Sequence, residues 1–262
     1  MMQPTDLRKA QIQKIGRSFE LTQEQDEGLQ ILRSGENVFL TGGAGCGKSF
    51  LIRHFLREIN TKQFPVLAST GAAAVLVGGR TFHSFFGLGI MEGGAEKTYE
   101  RASRDLRLLS RLRRSEGFIL DEVSMISGAA LSVAESLARL ARETNLPWGG
   151  LRVLAVGDFA QLPPISKNGF TRDWAFKHPV WEATHFKNCL LVGNVRVNDS
   201  EYLEVINAVR LGHINSFVTS FLDGHLQDHI SEHDDVTRLF PRRNQAEAFN
   251  RFKLNQIDEE EM

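Results

Sequence analysis

Residues 36–50, ENVFLTGGAGCGKSF, set an apolar run, Val38-Phe39-Leu40, ahead of a glycine-rich turn, and a helix-compatible stretch from Phe50 to Leu56 follows it. Gly42, Gly47, Lys48 and Ser49 fit the pattern G-x-x-x-x-G-K-[ST], which is a cradle for phosphate. Gly42, Gly43, Gly45 and Gly47 let the backbone turn its N–H groups inward, and the next helix adds the positive end of its dipole. Lys48 brings a point charge for the β and γ phosphates, and the Ser49 hydroxyl is placed to ligate Mg²⁺. The competing reading is a Gly-rich turn of some other α/β domain; the strand before and the helix after weigh against it. The binding candidates are therefore Gly42, Gly43, Ala44, Gly45, Cys46, Gly47, Lys48, Ser49 and Phe50.

A chain of 262 residues, 42% hydrophobic and 24% charged, buries a sizeable core as one large or two modest domains. The formal net charge of -1 gives no global sign of a polyanion partner, so such a site has to be a local patch. One cluster exists, Arg101, Arg104, Arg107, Arg111, Arg113 and Arg114, with Leu106, Leu108, Leu109 and Leu112 interleaved. We read the leucines as a core-facing stripe and the arginines as a solvated helix face. Two cysteines, Cys46 and Cys189, exclude a disulfide framework and a zinc cluster and suit a reducing compartment. Neither a secretion signal nor an apolar run long enough to span a membrane is visible, so a cytoplasmic or nuclear location is expected.

Residues 1–20 are polar and read as an arm. From Leu21 the chain reads as a capped helix, with Thr22 as N-cap, Gln25 three residues later and Gly35 at the end. Pro65–Ser69, Gly117–Leu120 and Leu151–Val156 read as short buried strands, and Gly128 to Arg142 and Glu201 to Leu211 as helices, the character of the chain changing past Cys189–Val192. Buried strands alternating with helices imply a parallel sheet covered on both faces, with ligands beyond the carboxyl ends of its strands. After Leu211 comes a polar loop rich in His and Asp, then a further helix beyond Pro241 and an acidic end read as a solvated tail.

Asp121-Glu122 ends the strand at Gly117–Leu120, as the second half of an ATPase site would. There Asp121 can orient the shell of a Mg²⁺ ion while Glu122 positions and activates the attacking water. In Gly157-Asp158-Phe159-Ala160-Gln161-Leu162-Pro163-Pro164, Gln161 is suited to sense the γ phosphate, with prolines stiffening the segment behind it. Taken alone, this segment reads equally well as a rigid turn.

The blocks GGAGCGKSF, STGAAAVLVGGRTFHSFFGLG, ILDEVSMIS, PWGGLRVLAVGDFAQLPPI and DWAFKHPVWEA, in that order across residues 21–212, resemble the Pif-one family of DNA helicases, relatives of RecD in superfamily 1B. The resemblance implies a RecA-like P-loop NTPase domain over residues 21–192 and the start of a second RecA-like motor domain over 193–262. It implies ATP and Mg²⁺ as cofactors, single-stranded DNA as partner, and a monomeric 5′→3′ motor. It makes Gln25 the adenine-reading glutamine, keeps the roles of Lys48, Ser49, Asp121, Glu122 and Gln161, and makes Arg196 the arginine finger. Thr70, Phe82 and His83 fall where the family touches single-stranded DNA, which suits a hydroxyl, a stacking ring and an imidazole; for Phe82 and His83 taken singly, an ordinary core or surface role stays open.

Two departures stand out. Val197 follows Arg196 where the family usually has Gln, and the family's later blocks do not occur before Met262. The expectation is therefore a truncated motor that binds ATP, hydrolyses it slowly and does not unwind DNA. The alternatives are a nucleotide- and DNA-binding module without useful turnover, and a phosphate-loop ATPase acting on protein partners.

Overall fold

The computed structural model describes residues 20–165, 172–226 and 236–256. The first helix, α1 (Gln23–Arg33), begins as expected: Thr22 Oγ1 accepts from the Gln25 amide while Gln25 Oε1 accepts from the Thr22 amide, a closed capping box. It leads to β1 (Val38–Gly42), then α2 (Lys48–Phe55), β2 (Val66–Ala68), α3 (Gly71–Leu76), β3 (Arg80–Thr81) and the single turn α4 (Phe82–Phe85). Helices α5 (Gly94–Ala102) and α6 (Leu106–Arg114) precede β4 (Gly117–Asp121), and α7 (Gly128–Arg142) has the expected bounds. β5 (Arg152–Gly157), α8 (Pro179–Ala183), β6 (Lys187–Leu191) and α9 (Ser200–Leu211) follow.

All six strands are parallel, in the order β3-β2-β4-β5-β1-β6. Parallel neighbours need crossovers, and the helices that supply them cover both faces of the sheet. Successive side chains divide between two cores. Phe118 and Leu120 of β4, with Val153 and Ala155 of β5, join Phe82, Phe86, Leu108, Leu112 and Trp148 on one face. Ile119, Leu154 and Val156 join Leu32, Leu40, Leu51, Phe55 and Cys189 on the other. Each fully buried Leu or Phe contributes roughly 1.5–3 kcal/mol, so this double burial is the main favourable term holding the sheet.

The strand order positions the site. β4, β5, β1 and β6 are consecutive neighbours, so the segments leaving their carboxyl ends emerge side by side. These segments are Glu122 onward, Asp158 onward, the glycine-rich loop, and Val192 onward. β2 and β3 lie beyond β4, and the segments after them carry Thr70, Phe82 and His83.

The arginine-rich stretch is largely solvated as expected, with Arg101, Arg104, Arg107, Arg113 and Arg114 exposed and Arg111 half-buried, but several of its guanidinium groups also bond the backbone. Arg111 donates to the carbonyl of Phe85, Arg101 to those of Gly87 and Leu88, and Arg113 to that of Ala141. Guanidinium forks here satisfy backbone carbonyls at helix ends and in the loop after α4. In the leucine stripe, Leu108, Leu109 and Leu112 are buried, but Leu106 is exposed, because it occupies the first turn just after the Asp105 cap.

The described residues fall into two compact units that divide after Leu211. In the second unit, the stretch read as a polar loop contains α10 (Ser216–Asp223), capped by Asn215, whose Oδ1 accepts from the Val218 amide. The apolar set Phe217, Val218, Phe221 and Leu222 has helical spacing, a signal obscured by the surrounding histidines and aspartates. Its last helix, α11 (Arg243–Leu254), lies where a helix was expected. The arm read over residues 1–20 lies, but for Glu20, outside the described residues, as does the acidic end from residue 257.

Candidate active site

Gly47 precedes α2 with φ +90° and Gly42 has φ +150°, the backbone the loop needs. A Cβ on Gly42 would lie 2.2 Å from the carbonyl oxygen of Leu191, and one on Gly47 would lie 2.3 Å from Gln25 Nε2. Neighbouring segments thus press on the loop where only glycine fits. Lys48 Nζ donates to the carbonyls of Gly42 (2.8 Å) and Gly43 (3.0 Å), and Cys46 Sγ lies 3.7 Å from it.

Over the loop opens a cleft of about 360 Å³, lined by Ala44, Gly45, Gly47, Lys48, Ser49, Phe50, Arg53, Glu122, Gln161, Val195 and Arg196. Four segments far apart in the chain therefore bring Lys48, Glu122, Gln161 and Arg196 to one cavity. Three cations face one carboxylate there, an electrostatic environment suited to a polyphosphate. Gly42, Gly43 and Cys46 do not line the cleft, and the Gly42 and Gly43 carbonyls are engaged by Lys48.

Glu122 has φ +55°, ψ +48°, a left-handed conformation that costs a non-glycine residue of order 1–3 kcal/mol. Burial raises its carboxyl above the ordinary range, the neighbouring Asp121 charge adds to this, and Lys48 opposes it. Asp121, at the end of β4, is likewise raised by burial, against the Glu122 amide that donates to it at 3.1 Å and the charge of Lys48. Ser49 and Asp121 offer hard oxygen donors beside the phosphate loop, the chemistry Mg²⁺ prefers, so the residues present fit that ion.

Gln161 donates to Asp158 Oδ2 at 3.4 Å, and Asp158 in turn accepts both arms of Arg210 at 2.8 and 3.1 Å. Burial raises the Asp158 carboxyl, but the Arg210 fork and the Ala160 amide outweigh it and hold the group below its ordinary value. Gln25 is buried and lies against Gly47, outside the cleft lining, with its carbonyl oxygen engaged in the capping box.

The three residues expected at DNA do not share the cleft. Thr70 Oγ1 caps α3, accepting from the Ala73 amide at 3.2 Å. Phe82 requires a correction: it is 0% exposed, packed against Phe86 and Phe118, so its ring is not available to a base. The resemblance implied a DNA-facing ring, but the one-turn helix turns Phe82 into the core. His83, half-buried beside it, is held below its ordinary pKa by desolvation.

Sequence reasoning missed Arg53, Arg210, Glu24 and Asn194. Arg53 was accessible in principle: four residues after Ser49 on one helix, it shares that face and donates to the Ser49 carbonyl at 3.3 Å. The other three meet partners distant in the chain.

A parallel sheet with a phosphate loop, an acidic pair and a glutamine at neighbouring strand ends defines a RecA-like phosphate-loop NTPase fold. The chain belongs to the PIF1-like helicase family, whose model matches residues 20–231. It is 62% identical over 244 residues to the ATP-dependent DNA helicase Pif1 of Bdellovibrio bacteriovorus, covering 93% of this chain and 55% of that one. Among solved structures it resembles Pif1 helicase from Candida albicans, with TM-score 0.80, 31% identity, and coverage of 92% of this chain and 56% of that one. It also resembles the Bacteroides Pif1 helicase in complex with ADP-AlF3 and ssDNA, with TM-score 0.77, 28% identity, and coverage of 93% and 59%. The chain thus spans little more than half the length of these relatives. No described helix is long and apolar enough to cross a membrane.

Proposed function

We propose that this chain carries the ATP-hydrolysing first motor domain, and the beginning of the second from residue 193, of a 5′→3′ DNA helicase that moves on single-stranded DNA. The observation that carries this reading is the convergence of Lys48, Glu122, Gln161 and Arg196 on one cleft above the glycine-rich loop. Lys48 leaves its carbonyl partners to hold the β and γ phosphates, while the amides of Ala44 to Ser49 cradle them. Ser49 and Asp121 would hold Mg²⁺, which when bound would supply charge neutralisation for the polyphosphate. Glu122 orients the attacking water and accepts its proton, Gln161 hydrogen-bonds the γ phosphate, and Arg196 stabilises the charge spreading onto its oxygens. Gln25, beside Gly47, reads the adenine edge through its amide.

Thr70 and His83 stand apart from the cleft, on the β2–β3 side of the sheet, which supports a DNA track separate from the nucleotide. The related Bacteroides Pif1 helicase, solved in complex with ADP-AlF3 and ssDNA, supports ATP and single-stranded DNA as ligands. A monomeric motor of this kind works inside the cell, where ATP and DNA are held.

The test is the ATPase rate of the 262-residue chain with and without single-stranded DNA, alongside Lys48→Ala and Glu122→Gln. We expect turnover that DNA stimulates and that both substitutions reduce by at least about 100-fold. Turnover indifferent to DNA would overturn the DNA motor reading, and turnover that survives both substitutions would overturn the assignment of the site.

A further inference from the structure

The segment leaving β6 is fastened to the phosphate loop by its backbone and by one side chain. Asn194 Nδ2 donates to the carbonyl of Ala44 at 2.9 Å, and the Val195 amide donates to the carbonyl of Gly45 at 2.9 Å. Asn194 Oδ1 accepts from the amides of Arg196 (2.9 Å) and Val197 (3.0 Å), closing a tight Asx turn. Just upstream, the Glu24 carboxylate accepts from the amides of Val192 (2.7 Å) and Gly193 (3.1 Å). Contact with the loop is close: a Cβ on Gly45, whose φ is +83°, would lie 2.9 Å from Asn194 Nδ2 and 3.0 Å from Arg196 Cβ.

We propose that Asn194 is the positioning residue for Arg196, joining the turn that carries the arginine to the backbone of the phosphate loop at Ala44. The proposal rests on the reading of Arg196 as the group that stabilises γ-phosphate charge. Arg196 is exposed and lines the cleft, so its aim depends on how its backbone is held. Asn194 holds that backbone from both sides: its oxygen shapes the turn, and its nitrogen ties the turn to the loop around the phosphates. A misplacement near 1 Å costs up to about 100-fold in rate, so loss of this one side chain affects the chemical step rather than nucleotide binding.

The experiment uses the full chain and four variants: Asn194→Ala, Asn194→Asp, Arg196→Ala, and the Asn194→Ala/Arg196→Ala double. Single-turnover ATP hydrolysis is measured with affinity for ADP alone and for ADP with aluminium fluoride. Asn194→Ala is expected to slow hydrolysis about 10- to 100-fold and to weaken the aluminium fluoride complex similarly, with ADP affinity changed less than about two-fold. Asn194→Asp keeps the turn acceptor but loses the donor to Ala44, so it falls between wild type and Asn194→Ala, and it carries the test if the alanine variant does not fold. In the double variant hydrolysis should be no slower than in Arg196→Ala alone. If the two losses multiply, or if Asn194→Ala weakens ADP as much as the aluminium fluoride complex, the positioning role is refuted while the site reading stands. If Arg196→Ala leaves hydrolysis unchanged, the reading beneath it fails instead.

Discussion

Removing Arg210 would leave a buried charge without its partner. The Asp158 side chain is 3% exposed and that of Arg210 is 35% exposed, and the guanidinium meets the carboxylate with both arms. Breaking a fully buried pair costs about 3–5 kcal/mol. Solvent reaches Arg210, so we discount that to about 2–3 kcal/mol for Arg210→Ala. In a domain of this size each kcal/mol lowers Tm by about 2–4 °C, giving a fall of roughly 5–10 °C. Thermal unfolding followed by circular dichroism at pH 7 reads this directly. Asp158→Asn supplies the control, because once the carboxylate is neutral, removing Arg210 should cost less than about half as much. The pH dependence follows from the depressed Asp158 pKa. The pair's stabilisation is present in full above the unfolded carboxylate value and is lost as pH falls through the lower folded value. The gap between wild type and Arg210→Ala should therefore persist at pH 5 and close only in more acid solution. A Tm within about 1 °C of wild type at pH 7, or a gap unchanged by Asp158→Asn, would show that Arg210 does not compensate the buried charge.

Phe82→Ala should destabilise the chain by about 3–5 kcal/mol, as expected for a fully buried ring among Phe86 and Phe118; an unchanged denaturation midpoint would return Phe82 to the DNA-facing role that the resemblance implied. Gly42→Ala should reduce affinity for a fluorescent ATP analogue by at least about 10-fold, equivalent to about 1.4 kcal/mol, because its Cβ meets the Leu191 carbonyl at 2.2 Å and displaces an acceptor of Lys48. Wild-type affinity in that variant would mean the loop has room the structure denies it.

The local elements were legible from the sequence because their causes are local. The Thr22–Gln25 capping box, the bounds of α7 and the strand before the glycine-rich loop all follow from spacing within a few residues. The same holds for Lys48 and Glu122, each marked by a short block at a strand end, whereas the block carrying Gln161 read by itself equally well as a rigid turn. Helix α10 was missed because its apolar spacing sits inside a polar stretch, and Phe82 was misjudged because burial of a one-turn helix depends on what packs over it.

The sequence by itself determined that this chain builds a phosphate loop, an acidic pair at a strand end and an α/β alternation of the PIF1-like kind. Tertiary structure alone decided which strands are neighbours, and hence that the exits of β4, β5, β1 and β6 meet around one cleft. It also decided the side-chain pairings: Arg210 finds Asp158 across 52 residues and Asn194 finds Ala44 across 150. The physical reason is range. Helix caps and apolar periodicity act within one or two turns of chain, whereas an ion pair or an amide-to-carbonyl bond needs only proximity in space, which the order of strands in the folded sheet creates.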